Sequence, residues 1–378
     1  MEYSAAASHK PIADSVSSHI VKSSSVPMES LILHKLPDLG ASSSCSNSSK
    51  RIKCFYMIDH CWNKDPFSFT CFALNKENGE TTTWTISPAS GTKPIAISLN
   101  FTAVALGSNI FMIGGLCHPG LCPDGRIGGS HWHAYVRYFN TLRPEDGWMR
   151  AAPMHFERME PAAVVIDGMI YVFGGLDREA PDDGECFDPN TNQWHRFSAK
   201  GCRPSFACIQ APYIDRNGAK SILVHSDVQN VDTLYAFLLD TWEWKILSRH
   251  FICQRPGAIL DDVIYAVLDD DDEEQPLHGY DLIHNRWLPV DLPELDAGTE
   301  ICTETVCVFT SGSDKLCLLW YHIDVDGRGK HSRMECLEIR LYKSYSCTGV
   351  LLNLTASKVS HTYYRVQYRC IRKSILAL

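Results

Sequence analysis

Three groups of residues in this 378-residue chain have types and spacings that could do chemistry. The first is Cys117-His118-Pro119-Gly120-Leu121-Cys122, followed by His131-Trp132-His133. Thiolate and imidazole are the ligands that tetrahedral zinc prefers. The spacing matches no common zinc module, however, and a glycine-rich surface loop accounts for the same residues. His131 and His133 alternate, so a strand would put both on one face and Trp132 on the other. The second group is the acidic run Asp269-Asp270-Asp271-Asp272-Glu273-Glu274. A calcium loop spaces its oxygens around a turn, usually with a glycine, and this run contains none. It reads as a solvated acidic loop, with Asp270 and Asp271 able to steer a basic partner. The third group is Arg126, Arg143, Arg158 and Arg178, all in or beside predicted connections. Arginine is common at binding hot spots, although any one of them is more simply an ordinary solvated charge.

Catalytic signatures are missing from the sequence. There is no Gly-x-Ser-x-Gly elbow, P-loop, His-Glu-x-x-His or dinucleotide fingerprint. We therefore assign no catalytic, cofactor-binding or metal residue and expect a protein that is not an enzyme.

Short strands must hold these groups in place. Ile110-Phe111-Met112-Ile113-Gly114-Gly115 returns as Ile170-Tyr171-Val172-Phe173-Gly174-Gly175. A small polar turn precedes each run, and Trp148 or Trp194 follows it. Recurrence at this scale marks a repeat architecture. Weaker copies are Ser221–His225 with Trp244, Asp261–Val267 with Trp287, a first unit from Cys54 to Trp84, and a last one around Val306–Phe309 and Leu316–Trp320. Phe187 to Trp194, Phe237 to Trp244 and Tyr280 to Trp287 are each seven apart. Turn formers fill the gaps, most clearly Asp188-Pro189-Asn190-Thr191-Asn192, and predict tight turns between antiparallel strands.

The unit resembles a kelch repeat: apolar strand, Gly-Gly, variable loop, aromatic-Asp-Pro strand end, turn, Trp. Residues 161–197 match closely, 101–150 match with an insertion, and 206–247 and 257–290 match in part. The resemblance implies an all-β kelch-type β-propeller of about six four-stranded blades over roughly residues 54–342. Gly114, Gly115, Gly174 and Gly175 would sit where backbones approach closely or need positive φ. Trp148, Trp194, Trp244 and Trp287, with Phe187 and Tyr280, would pack in the core between blades. The style is similar to the plant F-box/kelch-repeat proteins. It implies protein clients docking on the loop-rich rim, with Arg126, His131, His133, Arg178, Asp270 and Asp271 as candidate partner-binding residues. It also implies substrate recognition for an SCF-type ubiquitin ligase. Leu36-Pro37-Asp38 matches the opening of an F-box, but Leu39-Gly40-Ala41 and the serines after it do not continue as helices. Docking of a Skp1-type adaptor therefore depends on a remnant near residues 31–38.

Two rivals share the fold. One is a metal-dependent enzyme, and the plant specifier proteins would want Glu, Asp and His at four-residue spacing. Glu274 and His278 are four apart, but Leu282 stands where an Asp would complete the set. The other is a kelch-only scaffold or actin-binding protein.

The formal net charge of −9 argues against non-specific nucleic-acid binding. No apolar run reaches the roughly 18 residues of a membrane helix. The N-terminus lacks an apolar signal core. The 16 cysteines are scattered, several inside apolar runs (Cys71, Cys208, Cys302, Cys307, Cys317). They read as buried thiols in a reducing compartment, the cytoplasm or nucleus, which makes the sequons at Asn47, Asn100 and Asn353 chance matches. Residues 1–50 read as a disordered serine-rich leader, 51–342 as the propeller, and 343–378 as an extension. That extension alternates in places like a strand and carries Arg365, Arg369, Arg372 and Lys373. A closing strand, a β-ribbon and an exposed tail all fit it.

Overall fold

The computed structural model describes residues 54–60, 69–75, 81–86, 98–117, 131–176, 184–198, 200, 209–228, 231–249, 251, 253, 257–268, 276–295, 301–303, 305–322, 332–366 and 373–377. The serine-rich leader lies outside them. Nearly all regular structure is β. The first blade opens with β1 (Cys54–His60), β2 (Phe69–Asn75) and β3 (Thr81–Ile86). Next come β4 (Ser98–Leu99), β5 (Thr102–Leu106), β6 (Asn109–Ile113), β7 (Leu116–Cys117), β8 (His131–Trp132), β9 (Val136–Asn140) and β10 (Trp148–Arg150). Of these, β5, β6, β9 and β10 form the second blade, and β4, β7 and β8 form a small separate sheet. The third blade is β11 (Ala162–Ile166), β12 (Met169–Phe173), β13 (Gly184–Asp188) and β14 (Gln193–Phe197). The fourth is β15 (Ile209–Ile214), β16 (Lys220–Val228), β17 (Val231–Leu238) and β18 (Glu243–Arg249). The fifth is β19 (Ala258–Leu260), β20 (Val263–Val267), β21 (Leu277–Asp281) and β22 (Arg286–Asp291). The sixth is β23 (Cys307–Thr310), β24 (Lys315–Tyr321), β25 (Ser332–Tyr345) and β26 (Leu351–Val366), and β27 (Lys373–Ala377) follows.

The strands β27, β5, β11, β15, β19 and β23 are the inner edges, and each touches the next in that order. The chain thus builds a six-bladed β-propeller. Its first blade is closed by the last strand, since β27 pairs with β1 from Phe55↔Ala377 to Asp59↔Lys373. The boundary expected at residue 342 falls inside β25. Residues beyond it continue the sixth blade as a long two-stranded ribbon and then supply β27. The fifth and sixth blades are also stitched together at their outer strands, where β22 and β26 pair in parallel at Val290↔Leu354 and Asp291↔Thr355.

Burial follows position in the blade. Inner strands are covered on both faces, and every residue of β5 and β11 is buried, which is why they read as unbroken apolar runs. The outer strand β14 buries only Trp194 and Phe197. Apolar clusters fill the gaps between blades two and three, three and four, four and five, and five and six.

The seven-residue spacing has a direct structural cause. Phe187↔Trp194, Phe237↔Trp244 and Tyr280↔Trp287 are opposed residues of one hairpin. Their ring centroids lie 5.1, 5.0 and 5.1 Å apart. A left-handed residue two places before each tryptophan reverses the chain: Asn192, Trp242 and Asn285. Side-chain oxygens brace the turns, as where Asn190 N–H and Ile283 N–H donate to Asp188 and Asp281 at 2.8 and 2.9 Å. Trp148, Trp194 and Trp244 are buried, whereas Trp287 is half-buried and stacks on Phe251. An aromatic ring of this size buries about 200 Å², on the order of 5 kcal/mol of transfer free energy.

Candidate functional site

Strand order gives the propeller two unlike faces. The first and second strands of a blade meet in two-residue turns, as at Gly107-Ser108, Asp167-Gly168 and Asp261-Asp262. The third and fourth strands turn on that same face. The opposite face carries the strand ends that flank residues 118–130, 177–183, 269–275 and 323–331. These are the long connections, so this is the loop face.

Both diglycines end a second strand on the loop face, and one segment explains them. Residues 158–161, running from the second blade into the third, pass between the two pairs. Gly115 N–H donates to Arg158 O at 2.7 Å, and Met159 N–H donates to Gly175 O at 2.8 Å. A Cβ on Gly114 would lie 2.5 Å from Arg158 O, and one on Gly175 would lie 2.5 Å from Met159 O. Gly114 and Gly175 also have φ of +64° and +65°. Only glycine satisfies both the close approach and the conformation.

The side chain of Arg158 continues this clamp. It is fully buried, as is Glu185 of β13. Arg158 Nε and Nη2 donate to Glu185 Oε1 at 3.2 and 3.1 Å, and Nη1 donates to Gly174 O at 2.6 Å. Glu185 Oε2 also accepts from His155 N–H at 2.6 Å and lies 2.9 Å from His155 Nδ1. Phe156 N–H donates to Glu185 Oε1 at 3.3 Å. With its acceptors filled this way, Glu185 is committed to holding two blades together beneath the loop face. Above it, His155 is half-exposed, and Arg196 stacks over the Phe156 ring at 4.5 Å. Together these residues make a buried floor beneath an exposed rim.

The structure places the sequence candidates unevenly. Arg126, Arg178, Asp270, Asp271 and Cys122 lie outside the described residues. His131 is half-buried in β8, and its Nε2 has no partner among the described residues. His133, expected to face a partner, is instead buried. It bridges Arg158 through the backbone, and its Nδ1 accepts from Tyr135 N–H at 3.3 Å. The strand β8 stops at Trp132, so the two histidines are not successive members of one regular strand. Arg158, an apparent solvated charge in sequence, is a core residue. Arg143 is exposed on the turn face, away from the long connections. Among the described residues no group of three His, Cys, Asp or Glu side chains is placed to hold a metal ion. Burial, then the nearby Asp188 charge, pushes the Cys186 thiol up to about 11, which leaves it a poor nucleophile. Sequence reasoning missed Glu185 and His155. Glu185 sits at an ordinary strand position, and its partner is 27 residues away, so no local pattern marks it.

A family model for the kelch motif matches residues 157–200, which begins at the clamp segment and ends after Trp194. An F-box/kelch-repeat protein of Arabidopsis thaliana is 26% identical over 292 residues, covering 69% of this chain and 63% of the relative. A putative F-box/kelch-repeat protein of the same plant is 32% identical over 133 residues, 33% of each chain. Another F-box/kelch-repeat protein is 24% identical over 242 residues, covering 60% of this chain and 54% of the relative. The chain therefore spans less than two-thirds of the length of these relatives. It carries kelch repeats and is similar to plant F-box/kelch-repeat proteins.

Proposed function

We propose that the loop face recognises a protein client, and that this recognition serves an SCF-type ubiquitin ligase of the F-box/kelch kind. The observation that carries the reading is the segregation of long connections onto one face, above the floor built by Arg158, Glu185 and the diglycines. Rigid support beneath variable loops is what selective docking needs. The names of the relatives supply the ligase context. The site of action in this reading is the cytoplasm or nucleus.

The test is affinity capture of the tagged full chain, with quantitative recovery of adaptor and cullin. Arg126→Glu with Arg178→Glu removes the client while leaving adaptor recovery intact. Arg143→Glu, on the turn face, changes neither. Equal client recovery from all three proteins would refute loop-face docking. A client recovered with no adaptor or cullin would refute the ligase role. The second reading, a kelch-only binding module, rests on the break in the F-box pattern after Leu36-Pro37-Asp38.

A further inference from the structure

The sixth blade holds a second polar cluster at the loop face, built from the end of β24, the start of β25 and the end of β26. Glu335 is buried at its centre. His322 Nε2 lies 2.8 Å from Glu335 Oε1, and His361 Nε2 lies 3.0 Å from Oε2. Arg333 Nε lies 2.9 Å from the same Oε1. Yet the Arg333 side chain is 55% exposed. Its guanidinium carbon sits 4.4 Å above the Tyr363 ring. Tyr363 OH in turn lies 3.2 Å from His361 Nδ1, which steadies the ring.

This arrangement fixes an arginine while leaving its working end free. Stacking on Tyr363 and the ion pair with Glu335 remove most of the rotamer freedom that an exposed arginine normally has to lose on binding. The two terminal nitrogens have no partner among the described residues. A planar pair of N–H donors, pre-oriented on a docking face, matches the two oxygens of a carboxylate.

We propose that Arg333 is an anchor for an acidic side chain, Asp or Glu, of a protein partner, with Glu335 and Tyr363 as its positioning residues. Glu335 also selects against a phosphate. Glu335 already balances the guanidinium, so its buried charge repels any incoming anion, and it repels a dianion about twice as strongly as a single carboxylate. Deepening the client-recognition reading, the proposal rests on the loop face being the docking face. It can fail separately, because its test uses no ligase component.

The probe is a fluorescein-labelled (Gly-Glu)4 peptide, read by anisotropy against the full chain at low and high salt. Matching (Gly-Gln)4 and phosphoserine (Gly-pSer)4 peptides are run in parallel. The expected result is salt-sensitive binding of the glutamate peptide, with the glutamine peptide not bound and the phosphoserine peptide no tighter than glutamate. Arg333→Ala weakens binding at least about tenfold, the scale of losing a charge-assisted bond. Arg333→Lys keeps the charge but lacks the fork, and recovers only a part. Tyr363→Leu weakens binding severalfold with the melting temperature nearly unchanged. Arg143→Ala on the turn face has no effect. Equal binding by wild type, Arg333→Ala and Arg333→Lys would overturn the proposal. Full activity of Arg333→Lys would overturn the fork, and tighter phosphoserine binding would overturn the carboxylate assignment.

Discussion

Removing Glu185 should destabilise the propeller more than any other single carboxylate deletion among the described residues. Glu185→Ala strips Arg158 of two hydrogen bonds, at 3.1 and 3.2 Å, and leaves the guanidinium buried without its carboxylate. It also frees the N–H groups of His155 and Phe156. Breaking one side of a buried ion pair costs about 3–5 kcal/mol, because the remaining charge is uncompensated. For a chain of this size that is on the order of 4–6 °C in melting temperature. The check is thermal and urea unfolding of Glu185→Ala, Arg158→Met and the double variant Arg158→Met/Glu185→Leu. Replacing both partners with apolar residues should restore much of the loss, since neither charge is then stranded. A Glu185→Ala variant within about 1 kcal/mol of wild type would refute the clamp. So would a double variant as unstable as the two single losses added together.

Further expectations follow from the same geometry. Gly175→Ala must place a Cβ at φ +65° and 2.5 Å from Met159 O, whereas Gly218→Ala at φ +82° meets nothing within 4 Å. Chemical denaturation should give about 1–2 kcal/mol for Gly218→Ala and at least about 1 kcal/mol more for Gly175→Ala. Burial alone would raise the Asp281 carboxyl, but bonds from His284 and from the N–H groups of Ile283 and His284 outweigh it and lower the value. Its contribution is complete above its unfolded value of about 3.9 and is lost as pH falls through the lower folded value. Asp281→Asn should therefore be less stable at pH 7 and show a shallower loss as the pH falls below about 4 in a melting series. Deleting residues 367–378 removes β27 from the first blade and exposes the inner edge of β1. The truncated chain should lose cooperative unfolding in calorimetry, and an unchanged single transition would show that this closure is dispensable. Iodoacetamide at pH 8 should label exposed Cys347 quickly and leave buried Cys186 unmodified, as read by peptide mass spectrometry.

What the sequence determined by itself is everything that recurs locally. Opposed pairs such as Phe187 and Trp194 are joined by a short turn, so their spacing survives in the chain and announces the hairpin. The diglycines announce a close backbone approach, because no other residue tolerates it. From these marks, repeats, blades and the all-β class are legible in the sequence. The tertiary structure alone decided what approaches those glycines, and the answer is a segment from the blade junction some 40 residues after the first pair. It also decided that Arg158 is core and His133 buried, that residues beyond 342 finish the sixth and first blades, and that Arg333 is held upright by Glu335 and Tyr363. Each of these pairs residues through space across blades or between strands. Such pairing leaves no periodicity behind, because a buried carboxylate and its arginine need only meet in the folded ring, at any distance along the chain.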